Sequence, residues 1–351
     1  MLSIVLRILH TPQIGTLKFW QLWDHFNSLE KIMEWLKQNS YSAPSEIWSK
    51  QHINSHTNKN IKIIHFLDPA FPNLLKHVSG CPPILYCRGD MTLIDKPMIG
   101  IVGARNASIP IIHLIKRLAQ DLGRSGYIIV SGLAAGIDTA AHLGSLDTGT
   151  IGVCAGGIDQ IYPQQNAQLY QSVGLLISEM PLGTKPIGYL FPKRNRIIAG
   201  LSAGIVVAEA GFQSGSLITG QYAVEFNREV FVIPGSPLDP RSRGGNKLIK
   251  EGAYLAENAE DILSILRSKN IRKTAHPTEN QELLTAQSVN DEKSIDILSY
   301  LSFTPVSLDE LQEQTKLPMD RIRKKLAQLE IRGKIISDPN GQVYLTGKKG
   351  H

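Results

Sequence analysis

The sequence predicts an α/β protein built on an extended, Rossmann-like, doubly wound parallel sheet, with an N-terminal helical domain and a C-terminal winged helix. Three observations carry this expectation. Between residues 98 and 267, short β-branched runs alternate with glycine turns and helical stretches, the pattern of a parallel sheet covered on both faces. Residues 1 to 58 repeat large apolar side chains at three- and four-residue steps. Residues 294 to 347 read as three helices followed by a two-stranded hairpin, the outline of a winged helix.

The chain has 351 residues, enough for about two or three domains. Its hydrophobic content of 42% supports a real core, and its net charge of +6 favours a polyanionic partner. No apolar run approaches the roughly 18–20 residues of a membrane span. The apolar start, Met1 to His10, lacks a basic leader and a small-residue cleavage site, so it reads as a helix of the mature protein. Cys81, Cys87 and Cys154 show no metal-ligand spacing, which predicts idle thiols in a reduced, cytoplasmic chain.

In the first domain, Trp20, Trp23, Phe26, Leu29, Ile32 and Trp35 mark one helical face, and Pro12-Gln-Ile-Gly15 reads as a turn between helices. That arrangement fits a small helical domain of the SAM or helix–hairpin–helix kind, or a plain helical cap. Residues 59 to 97 change character: Ile61–Phe66 and Pro82–Asp90 read as two strands that preface the main sheet. The sheet itself begins at Met98–Val102 and continues through Tyr127–Val130, Thr150–Cys154, Leu175–Ser178, Ile205–Ala208 and Val230–Ile233. Helical patterns such as Ile111–Leu122 and Thr219–Phe226 lie between them. Polar residues 268 to 293 have no period and read as a flexible linker. In the last domain, Ser294–Leu301 is a helix, Ser307-Leu-Asp-Glu310 is a capping box, and Pro318 opens a third helix.

Parallel doubly wound sheets bind ligands at the carboxyl ends of their strands. Gly103 and Arg105 follow the first strand of this sheet, and Ser131 and Gly132 lie at the end of the second. Lys193, Arg194, Asn195 and Arg196 precede the fifth, and read as a basic loop tip feeding a helix. Asn246 and Lys247 follow the sixth. Glycines let phosphate approach the backbone, and arginines grip it in a fork, so this edge suits a chain of phosphates. Arg321, Arg323, Lys324 and Lys325 on the third helix of the winged helix are secondary candidates for DNA, or a soluble face of a protein-binding module.

Enzyme signatures are weak by comparison. Gly100-Ile-Val-Gly103 lacks the Gly-x-Gly-x-x-Gly spacing of dinucleotide sites, no Gly-x-x-x-x-Gly-Lys-Ser/Thr loop occurs, and His-Glu-x-x-His is absent. No cofactor or metal is expected. Asp138 and His142 stand four residues apart, and are read as a helix-capping carboxylate and a packed histidine.

Taken together, Val102-Gly-Ala-Arg105, Ser131-Gly-Leu-Ala-Ala-Gly-Ile-Asp-Thr-Ala-Ala-His142, Phe191-Pro-Lys-Arg-Asn-Arg-Ile-Ile-Ala-Gly200, Ser214-Gly-Ser-Leu-Ile-Thr219 and Pro234-Gly-Ser236 with Gly245–Ala253 resemble the DNA-processing protein A family, also called DprA or Smf. The likeness spans the central domain in order. It implies a non-enzymatic, homodimeric binder of single-stranded DNA that protects incoming DNA and loads a RecA-type recombinase in natural transformation. Ala104 stands where that family usually has Ser, which removes one hydroxyl from the phosphate edge, while Arg105 is retained. The alternative is a nucleotide phosphoribohydrolase on a related fold. That class carries Pro-Gly-Gly-x-Gly-Thr-x-x-Glu after the strand, where this chain has Gly211-Phe-Gln-Ser-Gly-Ser-Leu-Ile-Thr219 without the glutamate.

Overall fold

A computed structural model describes residues 1–212, 214–274, 306–315, 317–331, 335–337 and 342–345. The described chain divides into two compact units, Met1–Pro277 and Thr278–His351.

The first unit starts with four helices, α1 (Leu2–Leu9), α2 (Thr16–Phe26), α3 (Leu29–Gln38) and α4 (Glu46–Thr57). Ser28 and Ser45 cap α3 and α4, each side chain accepting a backbone amide of the first turn. These helices have no separate core. Phe66 wedges among Phe19, Trp20 and Trp23 at ring separations of 5.6, 4.9 and 4.8 Å. The helical cap therefore shares one apolar cluster with the edge of the sheet.

The prefatory strands β1 (Lys62–His65) and β2 (Ile84–Gly89) join the main sheet as an antiparallel margin, with the short helix α5 (Asn73–Lys76) between them. Then follow β3 (Met98–Gly103), α6 (Ile109–Arg124), β4 (Ile128–Ser131), α7 (Ile137–Ser145), β5 (Thr150–Val153), α8 (Ala167–Ser172) and β6 (Leu175–Ser178). The second half runs α9 (Leu190–Leu201), β7 (Gly204–Ala208), α10 (Gly215–Glu225), β8 (Glu229–Ile233), α11 (Arg243–Lys250), β9 (Tyr254–Leu255) and α12 (Ala259–Thr274). The sheet has nine strands in the order β1-β2-β6-β5-β4-β3-β7-β8-β9, and those from β6 to β9 are parallel. The expected parallel sheet is present, and the whole sheet becomes mixed only at its margin, where the prefatory β2 pairs antiparallel with β6.

Strand alternation sends side chains to opposite faces. Ile99, Ile101, Ile129 and Val206 pack under α6, α7 and α12, whereas Val102, Val130, Ile205 and Val207 pack under α9 and α10. The strand order reverses direction at β3, which has β4 on one side and β7 on the other. That reversal opens a crevice beyond the ends of β3 and β7, at Gly103 and Ala208, which are register partners.

The expected linker from residue 268 is helical as far as Thr274, the end of α12, because the apolar face of Ile262, Leu263 and Leu266 anchors the helix against the sheet. Its remainder to 293, and the expected helix at 294–301, lie outside the described residues. In the second unit, β10 (Val306–Ser307), α13 (Leu308–Thr315), α14 (Met319–Ile331), β11 (Ile335–Ser337) and β12 (Gln342–Leu345) form two helices against a three-stranded antiparallel sheet. Leu311, Ile322, Leu326, Ile335 and Val343 are its core. Among the described residues no helix is long and apolar enough to cross a membrane.

A histidine stack seals the cap to the sheet. His10, which caps the end of α1, faces Trp48 and His52 of α4, His52 faces His56, and His56 faces Tyr86 of β2, at 4.4–5.2 Å between ring centres. Burial, and then the charges of His56 and His10, push His52 down to about 4; burial alone dominates for His10 and His56, which are also lowered. His142, fully buried against Thr150, is pushed down to about 3. Each folded-state value lies below the unfolded value, so the unfolded chain binds more protons as pH falls below about 6.5. Stability is then fully present above about pH 6.5 and drains away toward pH 4. We expect the thermal midpoint to fall across that window and His52→Gln to flatten the fall. A midpoint constant from pH 6.5 to 4 would show that the stack protonates freely in the folded chain.

Candidate functional site

The crevice at the strand reversal is a cleft of about 600 Å³. Its floor comes from the ends of β3 and β7, one wall from the first turns of α9, and another from the first turn of α10.

Phe191 to Arg196 form the first turns of α9, which replaces the expected basic loop tip. In a parallel crossover unit the helix starts at the carboxyl edge, so these residues reach that edge without a loop. Helical geometry then scatters the cations, because residues 193, 194 and 196 point in three directions around one axis. Lys193 is exposed and lies over the Tyr189 ring at 5.4 Å. Arg194 is buried at 6% exposure, donates to the Val153 carbonyl at 2.9 Å, and lines the cleft. Asn195 lines the cleft too, and donates to the Gly215 carbonyl at 3.1 Å, tying α9 to the start of α10.

Arg196 faces away from this cleft. Its guanidinium lies 2.6 Å from both carboxylate oxygens of Glu179 and also bonds the Gly80 carbonyl. Thr16 donates to the same carboxylate at 3.2 Å. Arg196 therefore joins the helical cap, the β2 approach and the β6 exit, and does not line the cleft with Arg194 and Asn195.

Arg105 is exposed just past β3, with its guanidinium over the Phe191 ring at 5.5 Å. Phe191 in turn packs beside Tyr162 at 5.4 Å, and Tyr162 is 44% exposed. The Arg105 turn is held from below. Gly136, at φ +76°, lets the loop before α7 press against the carbonyls of Ala104 and Arg105, and Ile137 donates its amide to Ala104 at 3.1 Å. A side chain at Gly136 would strike that backbone.

Ser131 and Gly132 are buried beneath the cleft and do not line it. Ser131 donates to the Ile101 carbonyl at 2.6 Å, stitching β4 to β3. Gly132 lies flat under the Arg194 guanidinium, where a Cβ would overlap it, and donates to Asp138 at 3.1 Å. Asp138 does not cap α7, whose N-cap is Gly136; its carboxylate gathers the amides of Gly132 and Ala134 instead. Burial pushes the Asp138 carboxyl up, opposed by the charge of Arg194, and burial lowers Arg194. Asn246 clamps Gly235 through both amide atoms, and Lys247 is exposed beside Glu251 at 3.5 Å. Neither lines the cleft. Gly103 does, together with Arg105, Arg194 and Asn195.

Sequence reasoning passed over Glu209. It follows β7 with φ +46° and is 8% exposed, and its two oxygens accept from the amide and hydroxyl of Ser108 at 2.7 and 2.5 Å. Left-handed backbone is costly for a residue with a side chain, and here it lets the carboxylate fix the start of α6. The aromatic rings beside the cations were also missed as a group, although Phe191 opens the motif itself.

On the second unit, Arg321, Arg323 and Lys324 are exposed on α14 and Lys325 is half-buried. All three cysteines are buried, and burial pushes their thiols up to about 12, which keeps them inert.

Comparison with known proteins agrees with this architecture. Residues 62–267 match the family model of DNA recombination-mediator protein A, and residues 280–341 match that of the DprA winged helix domain. DNA processing protein DprA of Bacillus subtilis is 42% identical over 226 residues, covering 63% of this chain and 76% of that one. The crystal structure of DNA processing protein A from Streptococcus pneumoniae superposes with a TM-score of 0.58 at 33% identity, over 72% of this chain and 98% of that one. DNA processing protein A from Helicobacter pylori, solved for its single-stranded DNA binding mode, superposes at 0.53 with 30% identity, over 60% and 96%. The chain belongs to the DNA-processing protein A family.

Proposed function

We propose that this protein binds single-stranded DNA along the carboxyl edge of its sheet, with little sequence preference. The observation that carries the reading is Arg105 lying over Phe191 of the cleft lining, with Lys193 over Tyr189 at the start of the same helix α9. Each pair offers a cation to a phosphate and an aromatic face to a base, the two contacts that a flexible single strand makes and a stacked duplex withholds. The Helicobacter relative, solved for its single-stranded DNA binding mode, supports the same reading.

Gel-shift titrations with single- and double-stranded oligonucleotides at two salt concentrations test it. Single strands should bind more tightly, and affinity should fall steeply with salt as counterions are released. Equal affinity for duplex at matched salt would remove the preference. The first unit should suffice. Because the cap shares its core with β1 and β2, the fragment to express is 1–277 and not the sheet domain alone. We expect it to retain most of the affinity of the full chain; a folded fragment without affinity would move the site to α14.

We further propose that bound strands are thereby protected and passed to a RecA-type recombinase in DNA uptake and recombination in the cytoplasm, by a homodimer that is not an enzyme. Leu248 and Ile249, both partly buried, are apolar candidates for the dimer surface, whereas Ile262 and Leu263 further along the chain belong to the core. The first turn of α10 carries no acidic residue, which supports binding over phosphoribosyl hydrolysis. Release of adenine from AMP would overturn the non-enzymatic reading.

A further inference from the structure

Two residues that line the cleft each carry a buried polar atom without a partner: Nε of Arg194 and Oγ1 of Thr219. Their residues are 6% and 0% exposed. Buried polar groups are almost always satisfied, so two orphans on residues that line one cleft point to an acceptor from that side. Thr219 sits one turn into α10, where its hydroxyl would ordinarily bond the carbonyl one turn back. That carbonyl, of Gly215, accepts from Asn195 instead. The same helix begins at Ser214, Gly215 and Ser216, all lining the cleft, so its positive end faces the same space.

The negative groups nearby do not fill the role. Glu209 gives both oxygens to Ser108, and Asp138, whose charge offsets that of Arg194, gives its Oδ2 to the amides of Gly132 and Ala134 and leaves Nε of Arg194 without a hydrogen bond. At the rim, Arg241 is held by Asp239 at 2.7 Å. A buried guanidinium, a buried hydroxyl and a helix N-terminus thus share one recess, with exposed Arg105 at its mouth.

We propose that this recess seats a terminal phosphomonoester, the phosphorylated end of a single strand, while internal phosphates run past Arg105 and Lys193. The inference rests on the proposed single-strand binding at this edge. An internal phosphodiester carries chain on both sides and has one charge. A terminal phosphate carries chain on one side only, so it can enter a recess whose donors are buried, and it brings nearly two charges and three acceptor oxygens. The shared chemistry is a phosphomonoester dianion, which a strand end or a free nucleoside monophosphate could supply.

The test uses the full-length protein and one oligonucleotide sequence in four forms: 5′-phosphorylated, 3′-phosphorylated, hydroxyl at both ends, and covalently circular. One phosphorylated end should bind about tenfold or more tightly than the hydroxyl and circular forms, the effect of added charge-assisted hydrogen bonds. The advantage should shrink below about pH 6, where the phosphomonoester takes up a proton. Thr219→Val, which removes an unbonded hydroxyl without changing volume, should cut the advantage severalfold. Competition by a nucleoside monophosphate but not by the nucleoside would make the free nucleotide a second occupant. Equal binding of all four forms overturns the terminal seat and leaves the single-strand reading standing. If no strand binds, the single-strand reading fails. Calorimetry with the nucleoside monophosphate alone then decides the seat, which stands if the monophosphate binds and the nucleoside does not, and falls otherwise.

Discussion

Arg105→Ala should weaken single-stranded DNA binding by about tenfold or more, with the fold intact. The side chain is exposed and lies over the Phe191 ring, 5.5 Å away, so truncation should cost stability less than about 0.5 kcal/mol. A charge-assisted hydrogen bond to phosphate is worth roughly 1.5–3 kcal/mol, which is the tenfold or greater loss expected. Arg105→Lys should lose less, since the point charge survives and only the planar fork and its stacking on Phe191 go. The slope of log affinity against log salt should shrink by about 0.7 for the phosphate contact removed. Parent-like affinity and slope in a variant shown folded by circular dichroism would dismiss this edge as the DNA site.

Glu179→Ala should destabilise the first unit by about 3–5 kcal/mol, because it strands the buried Arg196 guanidinium without its carboxylate. The two side chains are only 10% and 11% exposed, so water can replace little of the lost carboxylate. Against a total stability of about 5–15 kcal/mol, that loss is large. Replacing both partners with apolar residues of similar size should recover most of it, since the charge and its counter-charge leave together. Urea unfolding of the single and double variants measures this. A Glu179→Ala variant within about 1 kcal/mol of the parent would mean that Arg196 is solvated and free to take a phosphate after all.

The two arginines of the motif show why the sequence could not finish the argument. Residues 193 to 196 announce a basic cluster in one dimension, and only the helix decides where each charge goes. The helix sends Lys193 to solvent, Arg194 under the cleft and Arg196 into an ion pair with a residue 17 positions earlier in the chain. Ser131 and Asn246 misled for a related reason. Both follow strands at the carboxyl edge, but Ser131 bonds the Ile101 carbonyl of β3 and Asn246 bonds Gly235, long-range partners that no local pattern encodes.

The strands, their glycine turns and the doubly wound plan were legible because they depend on local periodicity and backbone freedom, which are written residue by residue. Arg105 and Gly103 were legible as well, since a residue just beyond the first strand of such a sheet has little choice of place. Tertiary structure alone decided the antiparallel margin, the merging of the helical cap with the sheet, and the strained Glu209 beside Ser108. It alone placed Tyr162, Phe191 and Arg105 together, and left buried, unpartnered donors on Arg194 and Thr219, two residues that line one recess. These depend on which groups meet across the fold, and burial, pairing and the lack of a partner are properties of that meeting.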